Sequence, residues 1–91
     1  MDINQDTSVI KVKPGMRIAV KLNMNYDDNF IWKNIEKPNG LRLESCYIEL
    51  DSIQYWIYEI RDNCIPGDLI FIYTNKRRDT LINIRIFKIV V

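Results

Sequence analysis

Between residues 16 and 22 the side chains alternate: Met16, Ile18, Val20 and Leu22 share one phase, while Arg17 and Lys21 take the other. A period of two over seven residues is the signature of a half-buried strand. The turn residues Lys13, Pro14 and Gly15 precede it, and residues 8–12 before that turn read as a short strand of their own. After a polar loop, Phe30 and Trp32 fall in one phase with Ile31 and Lys33 in the other, and Lys37, Pro38, Asn39 and Gly40 close the segment. Leu41 and Leu43 then alternate with Arg42 and Glu44, as do Cys46, Ile48 and Leu50 with Tyr47 and Glu49. Residues 53–60 are apolar or aromatic on both faces, which predicts a strand without a clean solvent side. Pro66, Gly67 and Asp68 mark another turn, and Leu69, Phe71 and Tyr73 follow in phase. In the last segment Ile82, Ile84 and Ile86 share a phase, but Phe87, Ile89 and Val91 take the opposite one. A one-residue shift of this kind flips the side chains, so a bulge or twist is expected near Ile86 and Phe87.

These segments predict an all-β chain: seven or eight short strands with turn signals every 8–12 residues, forming an immunoglobulin-like antiparallel β-sandwich or a related barrel. No apolar period of 3.6 competes with that reading. The 16 isoleucines and five valines, against one alanine, are β-branched residues that pack well on a pleated surface. Residues 1–91 are expected to make a single domain, with residues 1–7 as a disordered or loosely held tail. At this length one core suffices without metal or disulfide support. There is no internal repeat, linker or low-complexity tract, so function is expected on loops or on one sheet face.

Charge and chemistry narrow the function by exclusion. Thirteen basic and 12 acidic residues leave a net charge of +1, which selects neither nucleic acid nor an anionic membrane as partner. The N-terminal stretch carries no basic and apolar leader pattern, and no apolar run approaches the roughly 18–20 residues of a bilayer span. The chain as given therefore reads as soluble and unsecreted, with a cytoplasmic location expected or else left open. Cys46 and Cys64 match neither a redox pair nor a zinc site and are expected to be reduced, buried small hydrophobes. The absence of histidine removes the Ser-His-Asp and Cys-His nucleophilic systems and the commonest zinc ligand, so no enzyme, cofactor or metal is expected. Asp27 and Asp28 are adjacent acids in a polar loop, a turn-forming arrangement without the further oxygens that calcium needs. The three glycines stand singly, so no phosphate-cradling loop is present.

The order of residues resembles the chagasin-like inhibitors of papain-family cysteine peptidases, an immunoglobulin-like sandwich family. In that family a strand of alternating apolar residues leads into a loop reading N-P-T-T-G, then an aromatic and a Trp. Residues 16–22 followed by Asn25, Tyr26, Asp27, Asp28, Asn29, Phe30, Ile31 and Trp32 are similar, with Asn25, Phe30 and Trp32 in register. Tyr26 stands for the proline, Asp27 and Asp28 for the threonines, and Asn29 for the glycine; Asn tolerates a left-handed backbone best among the non-glycines. Downstream, residues 55–58, Pro66 and Gly67, residues 69–73, Asn75, Lys76 and Arg77, and residues 81–91 follow the family's order. Its G-x-G-G loop is reduced to Asp51 and Ser52, and the tryptophan of its R-P-W loop is missing. The resemblance implies a reversible inhibitor that fills a peptidase cleft with loops from one end of the sandwich. The contact residues it implies are Asn25, Tyr26, Asp27, Asp28, Asn29, Phe30, Asn75, Lys76 and Arg77. That wedge requires the loops 25–29 and 75–80 to project from the same end.

Two other readings stand beside it, the first as a divergent member of the resembled family. The first is an interaction domain without inhibitory activity, self-associating through a sheet face on which Trp56 and Tyr58, out of phase with Tyr55 and Ile57, are candidates for exposure. The second, ranked last given the near-neutral charge, is a single-strand nucleic-acid surface combining Lys76, Arg77 and Arg78 with Tyr55 or Trp56. The oligomeric state is left open by the sequence.

Overall fold

The computed structural model describes residues 4–24, 29–50, 52–77 and 81–91, with side chains from Thr7 onward. These residues form seven strands and no helix: β1 (Asn4–Lys11), β2 (Arg17–Asn23), β3 (Phe30–Glu36), β4 (Leu41–Glu49), β5 (Ile53–Ile60), β6 (Gly67–Asn75) and β7 (Leu81–Val90). They make two sheets, one of four strands in the order β1-β7-β6-β3 and one of three in the order β2-β5-β4. The result is an all-β sandwich.

One core lies between the sheets. From the three-stranded sheet it takes Val20, Leu22, Leu41, Trp56, Tyr58 and Ile60; from the four-stranded sheet, Trp32, Leu69, Phe71, Tyr73, Phe87 and Ile89. Aromatic rings tile its centre, with Phe71 set 5.2 Å from Trp56 and 6.0 Å edge-on to Phe87. Burial alternates strictly along β5, where Gln54, Trp56, Tyr58 and Ile60 are buried and Ile53, Tyr55, Ile57 and Glu59 are half-buried. The strand with no clean solvent side is thus the central strand of its sheet, flanked by β2 and β4.

Several expectations need correction. The strand placed at residues 8–12 begins at Asn4, so residues 4–7 of the expected loose tail pair with β7 from Asn83 to Ile86. That pairing is parallel, so the four-stranded sheet is mixed and not purely antiparallel. The cause is local: the turn after Val12 carries the chain from one sheet to the other, and strands in different sheets cannot close a hairpin. Val12 itself is fully buried at this crossing, its N–H bonded to the Val90 carbonyl at 2.8 Å.

Met16 precedes β2 and is exposed, leaving Val20 and Leu22 as the buried residues of that phase. In β4 only Leu41 is buried, while Leu43, Cys46 and Ile48 are exposed. An edge strand has a neighbour on one flank only, so residues of inward phase there are incompletely covered. The two cysteines are unpaired, but Cys46 is exposed and Cys64 half-buried, against the expectation that both are buried. Trp56 and Tyr58 are core residues, at 9% and 0% exposure, so the outward face of β5 is the one carrying Tyr55 and Ile57. No shift occurs at Ile86 and Phe87, where the β6/β7 register runs unbroken; it falls between Tyr73 and Thr74 instead. The change of phase along β7 means that both of its faces are aliphatic.

The turns at the two ends are shaped differently. At one end Gly40 has φ 92°, a backbone that side chains rarely adopt, and a Cβ there would run into the Cys64 backbone. The Arg61 N–H donates to the Gly40 carbonyl at 2.8 Å, tying the β3–β4 and β5–β6 connections together. The other end holds the β2–β3, β4–β5 and β6–β7 connections.

Candidate functional site

The site is built on the first residues of β3. Trp32 is nearly buried, its indole N–H donating to the Asn23 carbonyl at 2.9 Å and its ring lying 4.9 Å from Tyr73. Phe30, two residues nearer the loop, lies 5.6 Å from the same tyrosine and is half-buried. These contacts fix the direction in which β3 leaves the loop, and with it the position of Asn29.

Hydrogen bonds then join three connections at this end. The Lys76 N–H donates to the Asn29 carbonyl at 2.6 Å, which holds the β6–β7 tip against the β2–β3 loop. The Met24 N–H donates to the Ser52 carbonyl at 2.7 Å, which ties the start of that loop to the β4–β5 turn. The two described ends of the β2–β3 connection, Met24 and Asn29, are thus each tied to a different neighbouring connection. Within the β6–β7 tip the Asn75 side-chain oxygen accepts the Arg77 N–H at 2.8 Å, an Asx turn that shapes the tip from within. Lys76 and Arg77 are exposed there.

The third tip holds a residue missed from the sequence. Leu50 is 86% exposed with φ 53°, the one non-glycine positive φ among the described residues, in a turn closed by the Ser52 N–H on the Glu49 carbonyl at 3.2 Å. Alternation had placed it in phase with Cys46 and Ile48. A left-handed leucine costs conformational energy, and an exposed one leaves its apolar surface in water. The readable signal was the shortness of the connection, which forces a tight turn between β4 and β5; the backbone sign was not readable.

Of the residues expected to bind, Asn29, Phe30, Asn75, Lys76 and Arg77 come together at one end. Asn25, Tyr26, Asp27 and Asp28 lie outside the described residues, as do Asp51 and Arg78. The nucleic-acid arrangement is not assembled by the described residues. Trp56 is in the core, and Tyr55, on the outer face of the other sheet, is stacked 4.9 Å from Tyr47 with the Lys21 ammonium 5.6 Å from its ring.

A cleft of about 500 Å³ opens at the opposite end, lined by Gly15, Arg17, Glu59, Ile60, Arg61, Asp62 and Asn63. Three of its charged residues form ion pairs: Arg17 meets Glu44 at 2.9 Å, and Glu59 lies 3.7 Å from Arg61 and 3.9 Å from Arg42. Exposed pairs of this kind contribute little energy. Among the described residues, no group of three or more His, Cys, Asp or Glu side chains is arranged to hold a metal ion. Comparison with known proteins returns no matching family model, curated protein or solved structure.

Proposed function

We propose that the protein is a reversible inhibitor of papain-like cysteine peptidases, built on an immunoglobulin-like sandwich and occluding the active-site cleft with the loops at one end. The observation that carries this reading is the hydrogen bond from Lys76 to Asn29. It joins Asn29 and Lys76, one from each of the two loops that a wedge requires, while Met24 at the start of the first loop is bonded to Ser52 of the β4–β5 turn. The strand order β1-β7-β6-β3 against β2-β5-β4 supports the immunoglobulin-like assignment, since chain-adjacent strands repeatedly change sheet.

Such inhibition needs complementarity and no reactive group, consistent with a chain that contains no histidine. Asn29 and Phe30, with Asn25, Tyr26, Asp27 and Asp28, form the central element that sits over the peptidase's catalytic cysteine. Leu50 supplies apolar area on one flank, and Asn75, Lys76 and Arg77 supply hydrogen-bond donors and charge on the other. Removing an exposed leucine from water on binding contributes roughly 1.5–3 kcal/mol, the kind of anchor that sustains a non-covalent complex. The test is a titration of the protein against a panel of papain-like peptidases. Competitive inhibition that is relieved on dilution is expected; unimpaired substrate hydrolysis at saturating protein overturns the reading.

The second reading is an interaction module of the same fold that binds without inhibiting. The two acids in the central loop favour it, because a neutral cleft would have to desolvate two carboxylates. Calorimetric binding to a peptidase that stays fully active would select it.

A further inference from the structure

β6 and β7 are the two central strands of the four-stranded sheet, so their side chains have neighbours on both flanks. Leu69, Phe71, Phe87 and Ile89 point into the core. On the opposite face the register sets Ile70 beside Ile86 and Ile72 beside Ile84, a contiguous block of four half-buried isoleucines. At one end of the block Val9 of β1 stands beside Lys88 of β7 and is 66% exposed. An antiparallel sheet with one solvated face ordinarily alternates apolar with polar residues. Here the central columns are aliphatic on both faces.

We infer that this outer face of the four-stranded sheet is an interface between two copies of the chain, packed sheet against sheet. Its dimensions suit that occupant. Four strands about 4.8 Å apart, each rising about 3.3 Å per residue over eight or so residues, present a face of roughly 19 by 26 Å. Two such faces together bury on the order of 1,000 Å², the lower bound for a specific association. A sheet face fits a second sheet at about 10 Å separation better than a small molecule, which needs a pocket.

Charge points the same way. The rim carries both signs: Lys33 beside Ile72, Glu36 beside Ile70, and Asp68 beside Lys88, all four charged residues exposed. A rim of mixed sign complements its own copy under two-fold symmetry, whereas a strongly acidic or basic partner meets like charge on half of it. The net charge of +1 sets up no repulsion between copies. The loops at the end of the sandwich stay free in such a dimer, so the inference stands independently of the proposed inhibition.

Sedimentation velocity over a concentration series tests it on the full chain and three variants. Wild type is expected to dimerise. Ile84→Lys, which places an ammonium in the centre of the interface, is expected to raise the dimer dissociation constant at least a hundredfold while leaving the far-ultraviolet circular dichroism unchanged. Ile72→Thr keeps the β-branch and is expected to raise it about tenfold; it carries the test if the lysine variant fails to fold. Tyr47→Lys, on the outer face of the other sheet, is expected to dimerise like wild type. A wild type that stays monomeric at millimolar concentration overturns the inference, as does a dimer indifferent to Ile72→Thr or one broken by Tyr47→Lys.

Discussion

The side-chain amide of Gln54 brackets the main chain of Trp32. Its Nε2 donates to the Trp32 carbonyl and its Oε1 accepts the Trp32 N–H, each at 3.1 Å. Trp32 lies on β3, an edge strand, while Gln54 lies on β5 in the opposite sheet. The amide thus supplies the backbone pair that a further strand would have supplied, inside the core and across the sandwich. Gln54 is 3% exposed, so water cannot substitute freely.

Replacing Gln54 by Leu should therefore cost far more than its loss of polarity suggests. Two buried backbone groups lose their partners, each at about 1–3 kcal/mol, so a destabilisation of roughly 2–6 kcal/mol is expected in urea unfolding. Because Trp32 orients the start of β3, the same variant should also weaken peptidase inhibition at temperatures where it is still folded.

A second cross-sheet bond gives a pH dependence. The buried Tyr58 hydroxyl donates to the Asn34 side-chain oxygen at 2.6 Å, and burial, followed by the nearby Cys46, pushes its pKa well above the ordinary value of 10.0. A raised folded-state pKa means that the folded protein holds its proton where the unfolded chain releases it. The stabilisation is complete below pH 10 and is lost progressively above it. Unfolding free energy should fall as pH rises beyond about 10, and Tyr58→Phe should flatten that fall while costing about 1 kcal/mol at neutral pH.

The two left-handed glycines separate backbone strain from steric exclusion. Gly15 and Gly40 have φ 90° and 92°, but a Cβ at Gly15 meets nothing within 4 Å, whereas at Gly40 it meets the Cys64 main chain. Gly15→Ala should cost only the conformational term, about 1–2 kcal/mol. Gly40→Ala should cost that and the displacement of the β5–β6 connection as well, so its melting temperature should lie clearly below that of Gly15→Ala.

Leu50 sets stability against binding. Asn tolerates its left-handed backbone better, so Leu50→Asn should raise stability by roughly 0.5–1 kcal/mol in chemical denaturation. Loss of the exposed apolar side chain should at the same time weaken peptidase inhibition about tenfold or more. A variant that is more stable and inhibits equally well would remove Leu50 from the contact surface.

Period-two alternation and turn chemistry determined the β class and most of the core, and narrowed the architecture to a sandwich or barrel. Val20, Trp32, Leu69, Phe71 and Tyr73 could be assigned inward because burial of one face is a local property of a strand. What alternation cannot convey is a strand's rank in its sheet, because neighbours far apart in the chain decide it. β4 and β7 were read from similar patterns. β4 became an edge, exposing Leu43, Cys46 and Ile48, while β7 became a central strand with aliphatic residues on both faces. The parallel β1/β7 pairing, the burial of Gln54 beneath Trp32, and the meeting of Asn29 with Lys76 all join residues more than 20 positions apart. The sequence supplied strands and phases; the tertiary structure decided their neighbours, because hydrogen-bond partners across a sandwich depend on how the sheets stack and not on the order of side chains along any one strand.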